Sequence, residues 1–412
     1  MLATMHPFKK TSRLVLSLAC ALFLGSGFAH AQQAAPGSPD AVVVAKAAKL
    51  IEESLTLLAT KTDEKDTQWF EAGIWHFRDC EKVWPVQGGP ATAAATLWKW
   101  RAQNVPLTDK AQQERQRWLR QVAIETFDRD LRDLLRPEGF FDEHRTPATY
   151  FFATELATTT LLLKDSLDEA TLTRWREALV KMMDYLIHSG DLPNPEKHGW
   201  LATDGYYVNG NIELGEAELL YLVWKITGEQ KYHDLFELQW NHTLKPSPVR
   251  WKQFGLRVTK EPTRADGADG AGYLVEGDGK RLGYDGDYTQ LALTVASRLY
   301  VFSRDPRVLR VMNLFINTLL PHADEKWILD ATNGARHSLR LPFFTSGLAV
   351  ASRLGGRTDL TPMLIGQFDK GIYPPFHDCA LQNWGSPALY RGYGCDVAVY
   401  LLADLAAKKG GL

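Results

Sequence analysis

The residues of this sequence best suited to chemistry include the segment 284–288, which reads YDGDY and ends a glycine-rich stretch. A tyrosine with cations beside it can ionise and act as a general base, and Lys280 and Arg281 lie close by in the sequence. The segment leads into a helical pattern, so Tyr288 would have a more rigid backbone than Tyr284, and we prefer it as the base. The alternative is a helix-capping aspartate followed by two tyrosines that only pack.

A second candidate is the pair of glutamates in segment 209–216, which reads NGNIELGE and opens another helical pattern. Glu213 and Glu216 are three residues apart, so both carboxylates would share one face of the first turn. Burial in a cleft would raise the pKa of one of them and keep a proton available. Asn209 and Asn211 could bind substrate beside them. The alternative is that these acids only complement the helix dipole.

A third candidate is segment 330–338, which reads DATNGARHS and also precedes a helical pattern. Asn333 with the following glycine marks a tight turn, and Arg336 and His337 place two cationic or donor groups at its exit. A net acidic protein that binds an acidic sugar needs such a local positive patch. Alternatively, both side chains bond only to loop carbonyls.

Two long connections do not fit simple helical hairpins. They are 190–210 and 245–287. Long ordered loops in a compact domain are usually functional. The first of them contains His198 and Trp200, which are weaker candidates for contact with a ligand, because a single loop histidine is more often structural.

The sequence has 13 tryptophans, and they divide into two groups. Those within helical patterns are expected in the core: Trp98, Trp118, Trp175 and Trp224. Those near loops have polar neighbours: Trp75, Trp84, Trp200, Trp251 and Trp384. The apolar face of a sugar ring stacks on an aromatic ring, while its hydroxyls need polar partners. The loop group therefore favours a carbohydrate cleft.

The elements that must position these residues are helices, because apolar residues recur at helical spacing along the chain. Acidic helix-start residues such as Asp109 and Asp305 support several of them. Strand-like alternation is confined to short pieces near 249–260 and 272–284. The predicted helices are at about 41–60, 91–104, 111–135, 147–164, 169–189, 211–227, 230–243, 288–303, 305–320, 338–354, 359–370 and 387–408.

This order of helices predicts an all-α fold. A solenoid would need a repeat of roughly 34 to 47 residues, and the sequence has no self-similar motif of that kind. A ring of helical hairpins tolerates diverged hairpins and brings loops and inner-helix N-termini to a central cleft. We therefore predict an (α/α) toroid or an incomplete toroid of helical hairpins with long functional loops.

The N-terminus has the pattern of a secretory signal peptide. Three cations precede an apolar run over 14–28, and residues 29–31 (AHA) are typical of a cleavage site. We predict a signal peptide over 1–31, export to the periplasm or the medium, and a single catalytic toroid domain over 32–412. The apolar run is too short to span a membrane, so we expect no membrane association after its removal.

Charge excludes one class of partner. The 412 residues carry a net charge of −2, and loss of the three cations of the signal peptide makes it −5. Since the mature sequence has no basic stripe, a nucleic-acid binder is disfavoured. The oligomeric state stays open.

The cysteines and aspartates leave two further questions open. Cys379 and Cys395 could pair in an oxidising compartment, and Cys80 remains beside them. The loop aspartates do not match the EF-hand calcium pattern, and Asp-Gly pairs are first of all turn formers. The loop aspartates in question are Asp266, Asp269, Asp278, Asp285 and Asp287. The common nucleophilic-hydrolase, metalloprotease and nucleotide-binding motifs are absent from the sequence.

Taken together, the export signal, the helical hairpins and the three clusters resemble the toroid-fold polysaccharide lyases, with alginate and glucuronan lyases as the nearest likeness. The motifs that carry it are segment 209–216, the stretch from Arg281 to Tyr288, and segment 333–337. The sequence lacks the N-N-H-x-Y-W type of motif known in one alginate-lyase family. The resemblance implies β-elimination at a uronic acid in an acidic polysaccharide or oligosaccharide, without a metal or an organic cofactor.

The resemblance also implies roles. Tyr288 would remove the C5 proton and could return a proton to the leaving oxygen, while Glu213 and Glu216 would hydrogen-bond the substrate carboxylate. Arg336 and His337 would supply positive charge. The full set of catalytic candidates is Tyr288, Tyr284, Glu213, Glu216, His337 and Arg336, and the substrate-binding candidates are Asn209, Asn211, His198, Trp200, Arg281 and Asn333.

Two other functions remain open. A glycoside hydrolase on the same toroid would use two carboxylates that flank the glycosidic bond, one from Glu213 or Glu216 and one from Asp285 or Asp287. A non-catalytic periplasmic carbohydrate-binding protein would use the aromatic and arginine side chains to hold an acidic polymer.

Overall fold

The structure is a computed structural model, and the residues that it describes form twelve α-helices. These residues are 39–60, 68–71, 74–79, 82–83, 88–141, 145–189, 210–244, 255–277, 281–343, 345–369, 395–408 and 412. The helices are α1 (Pro39–Thr60), α2 (Gly88–Asn104), α3 (Lys110–Asp133), α4 (Arg145–Leu163), α5 (Glu169–Ser189), α6 (Gly210–Thr227), α7 (Gln230–Leu244), α8 (Gly286–Ser303), α9 (Pro306–Leu319), α10 (Ser346–Gly355), α11 (Thr361–Asp369) and α12 (Cys395–Ala407).

These helices form two concentric rings. Helices α2, α4, α6, α8, α10 and α12 each contact the next one in this order, and α12 contacts α2, so the inner ring closes. The outer ring contains α3, α5, α7, α9 and α11, each packed on the inner helix that precedes it, and α1, which packs on α12. The predicted all-α toroid is therefore confirmed, and it is a closed ring of five hairpins and a sixth pair formed by α12 and α1.

The two rings differ in how much of each helix is buried. Every residue from 213 to 223 of α6 is buried, because an inner helix has neighbours on both sides and an outer helix behind it. The outer helix α9 instead buries one stripe that includes Val308, Met312 and Phe315. An amphipathic stripe is typical of a surface helix and an all-round apolar pattern of a buried one. The burial of α6 and α9 thus matches their places in the inner and outer rings.

Nine short strands among the described residues occupy connections between the helices, and all pairs are antiparallel. They are β1 (Gln68–Glu71), β2 (Ile74–Asp79), β3 (Lys82–Val83), β4 (Leu256–Lys260), β5 (Ala271–Leu274), β6 (Glu276–Gly277), β7 (Leu282–Gly283), β8 (Ile328–Ala331) and β9 (Leu339–Pro342). Strands β4 to β7 lie between α7 and α8, and the β8–β9 hairpin lies between α9 and α10.

One predicted boundary is wrong. The helix expected over 338–354 begins only at Ser346, because residues 339–342 form β9 instead. Leu339 pairs with Ala331 and Leu341 with Leu329, so the alternating leucines extend a hairpin rather than a helix.

Several predicted features lie outside the described residues. These are the signal peptide 1–31, the candidates His198, Trp200 and Asn209, Cys80 and Cys379, and the side chains of Cys395 and the five loop tryptophans. The four helical tryptophans pack in or against the main core as predicted, and Trp175 is fully buried. Within the described ranges, no helix is both long and apolar enough to cross a membrane.

Candidate functional site

Three segments far apart in the sequence meet where two inner helices begin. The backbone N–H of Asn211, in the first turn of α6, donates to Glu276 Oε1 of β6 at 3.1 Å. Asp285, which precedes α8, contacts the turn that connects β8 to β9. The starts of α6 and α8 and the β8–β9 turn therefore lie together at one end of the toroid.

Asp285 links this turn to the start of α8. Its Oδ1 accepts the backbone N–H of Tyr288 at 3.1 Å, which caps the helix. Its Oδ2 accepts the backbone N–H groups of Arg336 and His337, each at 2.8 Å. The carboxylate is fully buried. Asp285 is thus the helix-capping residue considered from the sequence. It also bonds to the β8–β9 turn, which the capping role does not include.

Tyr288 lies between the two cationic candidates of the β8–β9 turn. Its half-buried ring is 4.7 Å from the His337 ring, centroid to centroid, at an interplanar angle of 39°. The guanidinium carbon of Arg336 lies 4.8 Å from the centroid of the Tyr288 ring. Arg336 is exposed and His337 is buried. The structure thus brings three of the predicted catalytic residues into direct contact.

A second carboxylate, that of Asp287, lies beside the same imidazole. Asp287 Oδ2 is 3.2 Å from His337 Nδ1, and Asp285 Oδ1 is 3.8 Å from that nitrogen. Asp287 is buried, and its Oδ1 is enclosed with no hydrogen-bond partner among the described residues. These two acids place negative charge on the side of His337 that faces α8.

Two buried glutamates occupy the start of α6 and the adjacent strand. Burial raises the pKa of Glu213 to about 8. Burial also raises the pKa of Glu276 well above its usual value, and the charges of Asp285 and Glu213 raise it further against the opposing effects of the Asn211 N–H and Arg336. The Glu213 carboxyl is therefore mostly neutral at pH 7 and can donate a hydrogen bond, and burial favours the neutral form of Glu276 as well.

Glu276 was not predicted from the sequence. The only local signal is an acid that directly follows the apolar residues Tyr273 to Val275. Its pairing with Gly283 fixes it in a two-residue strand, and its side chain is almost fully buried. Nothing local indicates that it contacts Asn211, 65 residues away.

Glu216 does not share the environment of Glu213. Its Oε2 accepts from Gln239 Nε2 at 3.1 Å, and that amide nitrogen also donates to the backbone carbonyl of Glu213 at 3.0 Å. Gln239 belongs to the outer helix α7, so Glu216 lies at the α6–α7 interface. This contact supports a packing role for Glu216, and the expectation that both carboxylates face one cleft stays a prediction.

The contacts of Tyr284 weigh against its prediction as a catalytic residue. Its ring stacks on His322, with centroids 5.5 Å apart, and meets Tyr273 edge-on at 5.4 Å. Its hydroxyl is enclosed, and burial, with the charges of Asp285 and Asp330, raises its pKa. A raised pKa opposes the phenolate form that a base needs, so Tyr284 is a packing residue and Tyr288 the better placed tyrosine.

The remaining described candidates divide by exposure. Asn211 is buried, and its Oδ1 is enclosed with no hydrogen-bond partner among the described residues. Arg281, before β7, and Asn333, in the β8–β9 turn, are exposed. They remain predictions as ligand contacts.

Two aspartates of the glycine-rich loop, Asp266 and Asp269, lie in turns, and Asp278 is outside the described residues. Asp269 accepts the backbone N–H groups of Thr263 and Arg264, each at 3.0 Å, and Asp266 accepts that of Ala268 at 3.1 Å. In the part of the chain that the structure describes, no three His, Cys, Asp or Glu side chains are grouped as metal ligands. These contacts fit the turn-forming alternative for the loop.

Comparison with known proteins gives only distant structural matches. No protein-family model matches the chain, and no curated protein matches it. A family 76 glycoside hydrolase from a bovine Bacteroides thetaiotaomicron strain is similar at a TM-score of 0.48 and 15% identity, over 88% of this chain and 77% of that one. An unsaturated glucuronyl hydrolase mutant from Streptococcus agalactiae is similar at a TM-score of 0.46 and 11% identity, over 88% of this chain and 90% of that one.

A possible member of the GH105 family from Salmonella enterica gives a TM-score of 0.46 at 12% identity, over 90% of this chain and 94% of that one. The names of these three structures are those of glycoside hydrolases, and none is that of a lyase.

Proposed function

We propose that the protein cleaves a uronic-acid-containing polysaccharide of the alginate or glucuronan type by β-elimination, with Tyr288 as the base. The observation that carries this proposal is the contact of the Tyr288 ring with both Arg336 and His337. Positive charge beside a phenol stabilises its ionised form. An exposed guanidinium at the same point can also bind the carboxylate of the substrate.

The reaction follows from these groups. Tyr288 Oη takes the C5 proton, the C5–H electron pair forms a C4–C5 double bond, and the C4–O4 bond breaks. The departing O4 receives a proton, which Tyr288 can return to it. Negative charge that develops on the uronate is stabilised by Arg336 and by a hydrogen bond from the protonated carboxyl of Glu213, whose pKa is about 8. Such electrostatic stabilisation is usually the largest contribution to catalysis.

A second candidate reaction is hydrolysis of the same glycosidic bond. It is favoured by the presence of a buried carboxyl with a raised pKa, Glu213, and of the Asp287 carboxylate beside His337. A glycosidase needs one carboxylic acid to protonate the leaving oxygen and one carboxylate to act on water or on the sugar. In this reaction water is added and no double bond forms.

The test is turnover of alginate, glucuronan and related polymers by wild-type protein and by Tyr288→Phe. The substitution removes only the hydroxyl, and we expect elimination to fall by at least about 10²-fold, measured as ultraviolet absorbance of the new double bond. Tyr300→Phe is the matched control, since Tyr300 lies on the same helix and its hydroxyl donates only a long bond to the Leu354 carbonyl.

The products separate the functions. Elimination retained in Tyr288→Phe would show that the proposed mechanism is wrong. Reducing ends without the new absorbance, lost in both Glu213→Gln and Asp287→Asn, would support hydrolysis instead. Binding of a polymer with neither product would identify a non-catalytic carbohydrate-binding protein.

A further inference from the structure

The contacts of Asp285 join the three residues at the centre of the proposed site. One carboxylate accepts the backbone N–H groups of Tyr288, Arg336 and His337, at 2.8 to 3.1 Å. The residue is fully buried and does not reach solvent. A buried carboxylate that accepts several N–H groups is held firmly, because charge-assisted hydrogen bonds of this kind are the strong ones.

The β8–β9 turn is shaped to close around this carboxylate. A Cβ at Gly334 would lie 2.8 Å from Asp285 Oδ2 and would overlap the backbone carbonyl of His337. Gly286 is similarly close, since its Cβ would meet the side chain of Ala331 at 2.8 Å. Two glycines therefore allow the start of α8 and the turn to approach until one side chain can bond to both.

We propose that Asp285 is a positioning residue, whose carboxylate fixes where Tyr288 lies relative to Arg336 and His337. This rests on the proposed function for the role of those three residues. Asp285 does not touch the substrate, and it is therefore not one of the two carboxylates of a hydrolase. For the alternative hydrolysis reaction, Asp287 therefore remains a candidate for one of the two catalytic carboxylates and Asp285 does not.

The consequence for catalysis is geometric. The side chains of Arg336 and His337 both lie close to the Tyr288 ring, and their backbones are bonded to the residue that caps α8. If the turn moved by about 1 Å, the Arg336 and His337 side chains would no longer hold their positions against the ring, and a misplacement of that size can cost about 10²-fold in rate. Substrate binding elsewhere in the cleft would change little.

Backbone hydrogen exchange measured by mass spectrometry tests this directly in Asp285→Asn, using the full-length protein. An asparagine oxygen cannot accept three N–H groups, and its amide NH₂ is a donor. We expect exchange in the segments 285–290 and 334–338 to speed up together by at least about tenfold. Asp109→Asn is the matched control, because Asp109 caps α3 through the Gln112 N–H alone, and its loss should affect only that helix start.

Kinetics give the second readout. We expect Asp285→Asn to lower kcat about 10- to 100-fold and to leave KM within about threefold. Gly334→Ala provides an independent variant that disturbs the same contact from the turn side and leaves the carboxylate in place. It should show the same linked exchange and the same fall in kcat, so a poorly folding Asp285→Asn would not remove the test.

Three results would overturn the proposal: unchanged exchange in 334–338, faster exchange confined to 285–290, or a kcat within twofold of the wild type while exchange has changed. If the wild-type protein turns over none of the polymers, the proposed function fails, whereas the exchange experiment still decides whether Asp285 links the two segments.

Discussion

Glu213 illustrates at the scale of one residue how burial changes acidity. The side chain lies in the first turn of α6 and is enclosed by the toroid, which raises its pKa to about 8. In the unfolded chain a glutamate titrates near pH 4.3. The folded protein therefore holds a proton that the unfolded chain releases between about pH 4 and pH 8. Glu213 therefore lowers the free energy of unfolding by an amount that grows as the pH rises through that window. Above the window this amount is constant.

Glu213→Gln removes this cost. We expect the variant to gain stability relative to the wild type as the pH rises from 5 to 8, by up to about 1 kcal/mol per pH unit. Urea unfolding at a series of pH values measures it. The matched control is Glu125→Gln, an exposed glutamate on α3, which should leave the pH dependence of the wild type unchanged. A Glu213→Gln difference that does not vary with pH would contradict the raised pKa.

Gly215 sets the distance between two inner helices. A Cβ at this position would overlap the hydroxyl of Tyr150, a fully buried residue of α4. The glycine therefore admits a tyrosine of the neighbouring helix, and not a ligand, into close contact with α6. The structure identifies the group that comes close to this glycine, and it is the Tyr150 side chain.

Gly215→Ala should therefore destabilise the protein by about 1–3 kcal/mol, the usual cost of overpacking a filled core. Gly366→Ala is the matched control. Gly366 lies in α11, and the space that a Cβ would occupy there is open, so alanine should be neutral or stabilising by up to about 1 kcal/mol. Thermal and urea unfolding measure both. Equal effects of the two substitutions would show that Tyr150 can move aside at no cost.

Local signals explain which elements could be predicted. Asp109 and Asp305 were expected at helix starts, and both cap their helices by accepting a nearby backbone N–H. Such contacts span two or three residues, so the sequence contains all that is needed. The site is different, because the bond from Arg336 to Asp285 spans 51 residues. The clusters could be identified from composition, whereas their contacts, the role of Glu276 and the short strands depend on tertiary neighbours.

At the scale of the whole molecule, a buried ion cluster joins three consecutive inner helices. Arg298 of α8 donates from Nε and Nη2 to both carboxylate oxygens of Glu218 on α6, at 2.8 and 3.0 Å. Its Nη1 donates to Glu155 Oε1 of α4 at 2.6 Å. All three side chains are buried. Burial raises the pKa of Glu218 to about 7 even though Arg298 lowers it.

Arg298→Met leaves two carboxylates buried without their guanidinium, and we expect it to cost about 3–5 kcal/mol near neutral pH. The loss should be smaller at pH 5, because Glu218, whose pKa is about 7 beside Arg298, is protonated at pH 5 with or without the guanidinium. Arg307→Met is the control, since Arg307 pairs with Glu237 and Asp305 on the outer surface, where such pairs contribute about 0–1 kcal/mol. Urea unfolding at both pH values measures the difference. If Arg298→Met costs no more than Arg307→Met, or costs the same at both pH values, the cluster does not hold the inner ring together through its charges.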